Sequence, residues 1–217
     1  MNRDYEAVIF DLDGTLVDSL EDLADSMNFV LESAGLPKHD TQAYKYFVGE
    51  GMEKLVFNAL PENFRDRETV KIYTEKMKEE YNRRWNIKTR PYKNIPQLLD
   101  ALSRMKTHMA VLSNKPDKFT KLIVKELLPS WNFEIILGQK EGIPRKPDPA
   151  GALMIASSLG IDPGKFIYLG DSGIDMQTAS NAGMFAVGAL WGFRKKEELI
   201  AHGAKALIED PLELLKL

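Results

Sequence analysis

Val8-Ile9-Phe10-Asp11-Leu12-Asp13-Gly14-Thr15-Leu16 carries an apolar run that begins at Ala7 straight into two carboxylates and a glycine. A short, unbroken apolar run predicts a strand covered on both faces, as in a parallel sheet. Residues two apart in an extended chain project to the same side, so Asp11 and Asp13 converge. Gly14 lets the chain leave the strand sharply. In open α/β sheets ligands gather at the carboxyl ends of strands, where this pair falls. Two close carboxylates repel unless they share a proton or face a cation. An Asx-type turn accounts for the same residues without chemistry, so this segment alone leaves both readings open.

Working outward, similar apolar runs occur at 109–112, 134–137, 166–169 and 185–187, and the later ones are separated by stretches of helical periodicity. This pattern predicts an α/β fold, a doubly wound parallel sheet with helices on both sides. Residues 18–90 read differently, with amphipathic helices and no convincing strand. The expected organisation is therefore an α/β core from 1–17 and 91–217 with an inserted helical unit, 18–90. Ser19 with Asp22 predicts a helix cap, Leu20, Leu23, Ala24, Met27 and Val30 form the apolar stripe, and Gly35 ends the helix. Further helices are expected at 52–60 and 67–85, and hinges near 16–18 and 89–92, where Pro91 punctuates the return.

Composition excludes several function classes. The 217 residues are 44% hydrophobic and 28% charged, which suits a packed globular fold. A net charge of -3 offers no attraction to nucleic acid. With no cysteine, neither disulfides nor thiolate metal sites can form. No run approaches the roughly 18 apolar residues of a membrane span. The start, Met1-Asn2-Arg3-Asp4-Tyr5-Glu6, shows no export signal, so the expected location is the cytoplasm. His39, His108 and His202 make no zinc spacing, and no glycine-rich nucleotide fingerprint opens a helix.

Other strand ends carry polar groups. Gly170-Asp171-Ser172-Gly173-Ile174-Asp175 sets carboxylates after one apolar run, although a helix cap at Ser172 accounts for it equally. Ser113-Asn114-Lys115 offers a hydroxyl and neighbouring donors, and Lys146 lies in the proline-stiffened Arg145-Lys146-Pro147-Asp148-Pro149. Trp191-Gly192-Phe193-Arg194 either flanks this rim or packs as a surface loop.

These features in combination resemble the haloacid dehalogenase superfamily. Its four motifs match the segment quoted first, Ser113, Lys146, and Gly170-Asp171-Ser172 with Asp175. The resemblance spans almost the whole chain and implies a Rossmann-like core with an α-helical cap inserted after the first motif. Val48-Gly49-Glu50-Gly51-Met52, Ser113-Asn114-Lys115-Pro116 and Lys146-Pro147-Asp148-Pro149 are similar to phosphoglycolate phosphatases. By that resemblance Asp11 is the nucleophile that forms an aspartyl-phosphate, and Asp13 is the acid and then the base. Ser113, Asn114 and Lys146 hold phosphoryl oxygens. Asp11, Asp13 through its carbonyl, Asp171 and Asp175 form the Mg2+ site. Gly49, Glu50 and Gly51 close over the leaving group. The implied substrate is a small phosphorylated metabolite and the chain a monomer or weak homodimer. Pyrophosphatase, sugar-phosphate phosphatase and β-phosphoglucomutase-like phosphotransferase remain alternatives within the fold. A dehalogenase is opposed by Asp13 and the second acidic cluster.

Overall fold

Ala7–Phe10 forms β1, fully buried, and pairs in parallel with β4 (His108–Pro116) on one side and β6 (Phe166–Gly170) on the other. These are features of a computed structural model that describes residues 5–217; the expectation of no export signal at Met1 to Asp4 lies outside the described residues. With β5 (Ile135–Gln139), β7 (Phe185–Ala189) and β8 (Ala206–Ile208), the sheet has the order β5-β4-β1-β6-β7-β8, all parallel. The expected doubly wound α/β sheet is therefore present.

Alternation of side chains along the strands builds two cores, one on each face. Val8, Phe10, Val111, Ile167 and Leu169 face one core, while Ile9, Ala110, Leu112 and Tyr168 face the other. Helices α5 (Ile95–Arg104) and α6 (Asp117–Leu127) cover the first face, α7 (Ala150–Leu159) and α8 (Gly173–Asn181) the second. In α5 the buried positions Ile95, Leu98, Leu99 and Leu102 repeat at helical spacing, which gives one apolar stripe to the sheet. Each such leucine contributes about 1.5–3 kcal/mol by leaving water. A short helix, α9 (Lys196–Ala201), buries Leu199 against the second core. No helix among the described residues is long and apolar enough to cross a membrane.

The chain leaves the core through β2 (Val17–Asp18) and returns through β3 (Arg90–Pro91), and the two pair antiparallel. The predicted hinge segments thus form one two-stranded ribbon. Between them lie α1 (Leu20–Ser33), α2 (Tyr44–Phe47), α3 (Met52–Ala59) and α4 (Arg67–Arg84), with α1 packed along α4. Gly35 ends α1 in a Schellman pattern, Leu36 N–H donating to Leu31 O and Gly35 N–H to Glu32 O.

The predicted cap of α1 does not form. Ser19 makes no capping bond; its hydroxyl donates to Asp13 instead. Asp22 is likewise engaged elsewhere: its carboxylate accepts from Lys88 N–H, Thr89 N–H and the Thr89 hydroxyl, at 2.7–3.1 Å. Ser19 thus turns back to a residue six positions earlier, and Asp22 serves partners 66–67 residues away that local spacing does not reveal. Asp22 is 1% exposed and ties α1 to the chain just before β3. Asp22→Ala would strand the Thr89 N–H and hydroxyl in the interior, so urea unfolding should show a loss of about 2–3 kcal/mol. A loss under about 0.5 kcal/mol would mean water replaces the carboxylate freely.

Candidate active site

Asp11 continues β1, its N–H donating to Leu169 O at 2.9 Å, so the sheet ladder itself fixes the carboxylate's position. Leu12 then anchors a tight loop, its carbonyl accepting from the N–H groups of Thr15, Leu16 and Val17. Asp171 and Asp175 arrive from the end of β6. Ser172 and Asp175 form a full capping box on α8, so the capping expectation and the site expectation meet in the same residues. Carboxylate oxygens of Asp11, Asp171 and Asp175 lie within 4.8 Å of one another, and all three residues are buried. Asp171 accepts from the Thr15 hydroxyl at 3.2 Å and from Phe193 N–H at 2.7 Å. Its carboxyl is packed so tightly that a Cβ on Gly14 or Gly192 would stand 2.3–2.5 Å from it.

Lys146 joins the cluster. Its Nζ lies 2.8 Å from Asp11 Oδ1 and 2.7 Å from Asp175 Oδ1, with the side chain 3% exposed. The other Asp175 oxygen accepts from the Ser172 N–H and hydroxyl at 3.1 and 2.6 Å. Asp11 Oδ1 also accepts from Leu12 N–H at 2.7 Å, whereas Oδ2 accepts no hydrogen bond among the described residues.

Asp13 faces the same cavity, and its two oxygens lie 3.0 Å from Lys115 Nζ. Sequence spacing did not single out Lys115. The signal was present, because Ser113 and Lys115 stand two residues apart in the last part of β4, beside the adjacent β1 from which Asp11 and Asp13 emerge. Ser113 lines the cavity and accepts from Lys115 N–H at 3.2 Å. The Asn114 side chain works as a brace: it accepts from Lys146 N–H and donates to the carbonyls of Lys146 and Gly49, at 2.9–3.1 Å.

The helical unit supplies the opposite wall through Leu23, Val48, Gly49, Gly51, Met52 and Leu55. Glu50 is exposed and outside that lining; its carbonyl accepts from Arg145 at 3.3 Å. Arg194 donates to Val48 O at 2.8 Å. The carbonyls of Val48, Gly49 and Glu50 are thus each held by a different segment of the core. Phe193 and Arg194 line the cavity, which settles the 191–194 segment as part of its wall. Trp191 donates to Thr15 O at 3.0 Å behind it.

Four carboxylates face two buried ammonium groups, so with all ionised two negative charges lack a partner. Burial, reinforced by Asp175, pushes the Asp11 carboxyl up to about 7, with Lys146 opposing. Burial, then Asp175 and Asp11, raises Asp171 well above the carboxylate range. Burial works against the Lys146 ammonium, but Asp11 and Asp175 outweigh it and hold its pKa well above 10.5. An oxygen-only donor set with uncompensated negative charge fits a hard divalent cation.

The sequence pattern of the haloacid dehalogenase-like hydrolases matches residues 8–189. The chain belongs to that family. Among its curated relatives, a phosphoglycolate phosphatase of Aquifex aeolicus is 31% identical, over 97% of this chain and 95% of the relative. An N-acetylmuramic acid 6-phosphate phosphatase of Pseudomonas aeruginosa is 29% identical, over 97% of this chain and 93% of the relative. The crystal structure of a proposed phosphoglycolate phosphatase from Lactobacillus delbrueckii subsp. bulgaricus superposes with a TM-score of 0.90. It is 32% identical, and the match covers 97% of this chain and 96% of that one.

In this haloacid dehalogenase-like hydrolase the acid cluster makes stability depend on pH. A carboxyl raised from 3.8 to about 7 brings stability that is full below 3.8 and lost as pH climbs through 7. Asn at position 11 mimics the neutral acid at every pH. Between about pH 5 and 8, the melting temperature of chelator-treated wild type should therefore fall by a few degrees relative to Asp11→Asn. Parallel curves would show that Asp11 is not destabilised by its neighbours.

Proposed function

We propose that this hydrolase is a Mg2+-dependent phosphatase of small phosphomonoesters, phosphoglycolate phosphatase-like, that works through an aspartyl-phosphate on Asp11. The observation that carries the reading is the division of labour between the two acids of the first motif. Asp11 is fixed through Oδ1 by Lys146 and Leu12 N–H, with Oδ2 left without a donor among the described residues. Asp13 is held on separate partners two residues on.

In the first half-reaction Asp11 Oδ2 bonds to phosphorus as the ester P–O bond breaks, and Asp13 gives its proton to the leaving oxygen. In the second, Asp13 takes a proton from water, whose oxygen bonds to phosphorus while the aspartyl P–O bond breaks and Asp11 is restored. Ser113, the Asn114 backbone and Lys146 hold phosphoryl oxygens, Lys146 neutralising charge that builds there. Asp11, the Asp13 carbonyl and Asp171 are the groups that would hold Mg2+, with Asp175 supporting from behind. The ion supplies charge neutralisation that lets an anionic ester approach a carboxylate.

Residues 18–90 act as a cap over the core of 1–17 and 91–217, with the β2–β3 ribbon as hinge and Gly49 to Gly51 at the leaving group. Two relatives of similar identity are named for different phosphates. What the two names have in common is phosphate release, which the rim chemistry supports, and what differs is the ester, whose choice falls to the cap wall. A sugar-phosphate substrate is the second reading, favoured by the N-acetylmuramic acid 6-phosphate phosphatase likeness. The cysteine-free composition supports a cytoplasmic setting.

A panel of phosphoglycolate, sugar phosphates and pyrophosphate, assayed with Mg2+ and with chelator, tests the proposal. Turnover should vanish with chelator, return with Mg2+, and fall about a thousandfold or more in Asp11→Asn. Undiminished hydrolysis by Asp11→Asn would remove the nucleophile.

A further inference from the structure

Lys115 is a buried ammonium that the mechanism above leaves unused. Its side chain is 3% exposed, and within the Asp-x-Asp pair it meets Asp13, while Lys146 serves Asp11. Contact is two-pronged: both Asp13 oxygens lie 3.0 Å from Nζ. The Ser19 hydroxyl, at the root of the helical unit, holds Asp13 Oδ1 as well. The ammonium also lies 4.5 Å from the ring centre of Tyr81, a fully buried residue of α4. Tyr81 in turn packs edge-on against Phe119 of α6, with ring centres 5.1 Å apart. Lys115 thus sits where the core, the helical unit and the cavity meet.

Stability alone gives little reason for such a pair. Two ions taken out of water gain about as much as well-packed apolar groups of the same volume. A proton donor, by contrast, works only when its carboxyl is within hydrogen-bond reach of the leaving oxygen and correctly aimed. We propose that Lys115 is a positioning residue that aims the Asp13 carboxyl at the leaving group. This rests on the roles given to Asp11 and Asp13 above. It assigns one fixed lysine to each carboxylate of the first motif, with Tyr81 of the helical unit closing the pocket around Lys115.

Two esters separate aim from structure. An alkyl phosphate such as glycerol phosphate needs a proton on its leaving oxygen; p-nitrophenyl phosphate does not, because p-nitrophenolate departs unaided. Single-turnover rates are compared for wild type, Lys115→Met, Asp13→Asn and Asp11→Asn with Mg2+ present. Lys115→Met should slow the alkyl ester by about a hundredfold, against a loss of about fivefold or less in the aryl burst, and Asp13→Asn should show the same split. Equal losses on the two esters, or none on the alkyl ester, would overturn the proposal. Lys115→Leu, which also removes the donor for Asp13, carries the same comparison if Lys115→Met does not fold. If neither folds, Lys115 is structural and the proposal is lost. Asp11→Asn should abolish both reactions; a persisting aryl burst there would instead refute the nucleophile.

Discussion

Lys146 holds Asp11 and Asp175 on a single ammonium, and the acid cluster depends on that contact. Three carboxylates within 4.8 Å of one another, in a dry rim, would otherwise repel or sit protonated. The lysine can do this only because its own loop is braced: Asn114 accepts from its N–H and donates to its carbonyl. The cluster also needs the sheet. Asp11 is pinned by a ladder bond to β6, and Asp171 follows directly from that strand, so their separation is set by strand spacing, not by loop conformation. The chain order reverses at β1, with β4 and β5 to one side and β6 to β8 to the other. This reversal opens the crevice that receives the side chains.

The helical unit contributes in a different currency. Its loop at 48–50 is gripped through three successive backbone carbonyls, by Arg194, Asn114 and Arg145. Each of these neighbours a rim residue: Arg194 follows Phe193, which donates to Asp171, Asn114 follows Ser113, and Arg145 precedes Lys146. Backbone carbonyls are the same whatever side chain a residue carries. The grip therefore reads the path of the loop, and leaves the side chains of Val48, Met52 and Leu55 to shape the apolar wall.

Much of this was legible in the sequence because it is local. Unbroken apolar runs gave the five long strands, and polar residues directly after them marked the rim. What escaped is non-local or short. The strands β2, β3 and β8 have two or three residues, too few for any period to register. Ser19 and Asp22 looked like a capping pair and instead serve Asp13 and the Lys88–Thr89 backbone. Sequence spacing cannot announce partners about sixty-six residues away. Lys115 read only as part of a turn offering a hydroxyl and neighbouring donors, with no partner of its own. Its burial follows from β4 running on to Pro116, four residues beyond the apolar stretch.

The charge pattern at the rim also limits how an anionic ester can be accommodated. With every carboxylate ionised, two negative charges are unmatched by Lys115 and Lys146, and a phosphate dianion would meet repulsion at Asp11. Arg194 eases this only at the margin, since its guanidinium is shared with Val48 O and Glu198. Protonation relieves the strain in one way, which is why burial lifts Asp11 toward 7. A divalent cation would relieve it in another, and on the proposed mechanism only the second would leave Asp11 as the ionised carboxylate that attack on phosphorus requires. On that proposal the same buried acids disfavour the idle carboxylate and would favour a cation-loaded one, so charge compensation and nucleophilicity would be gained in a single event.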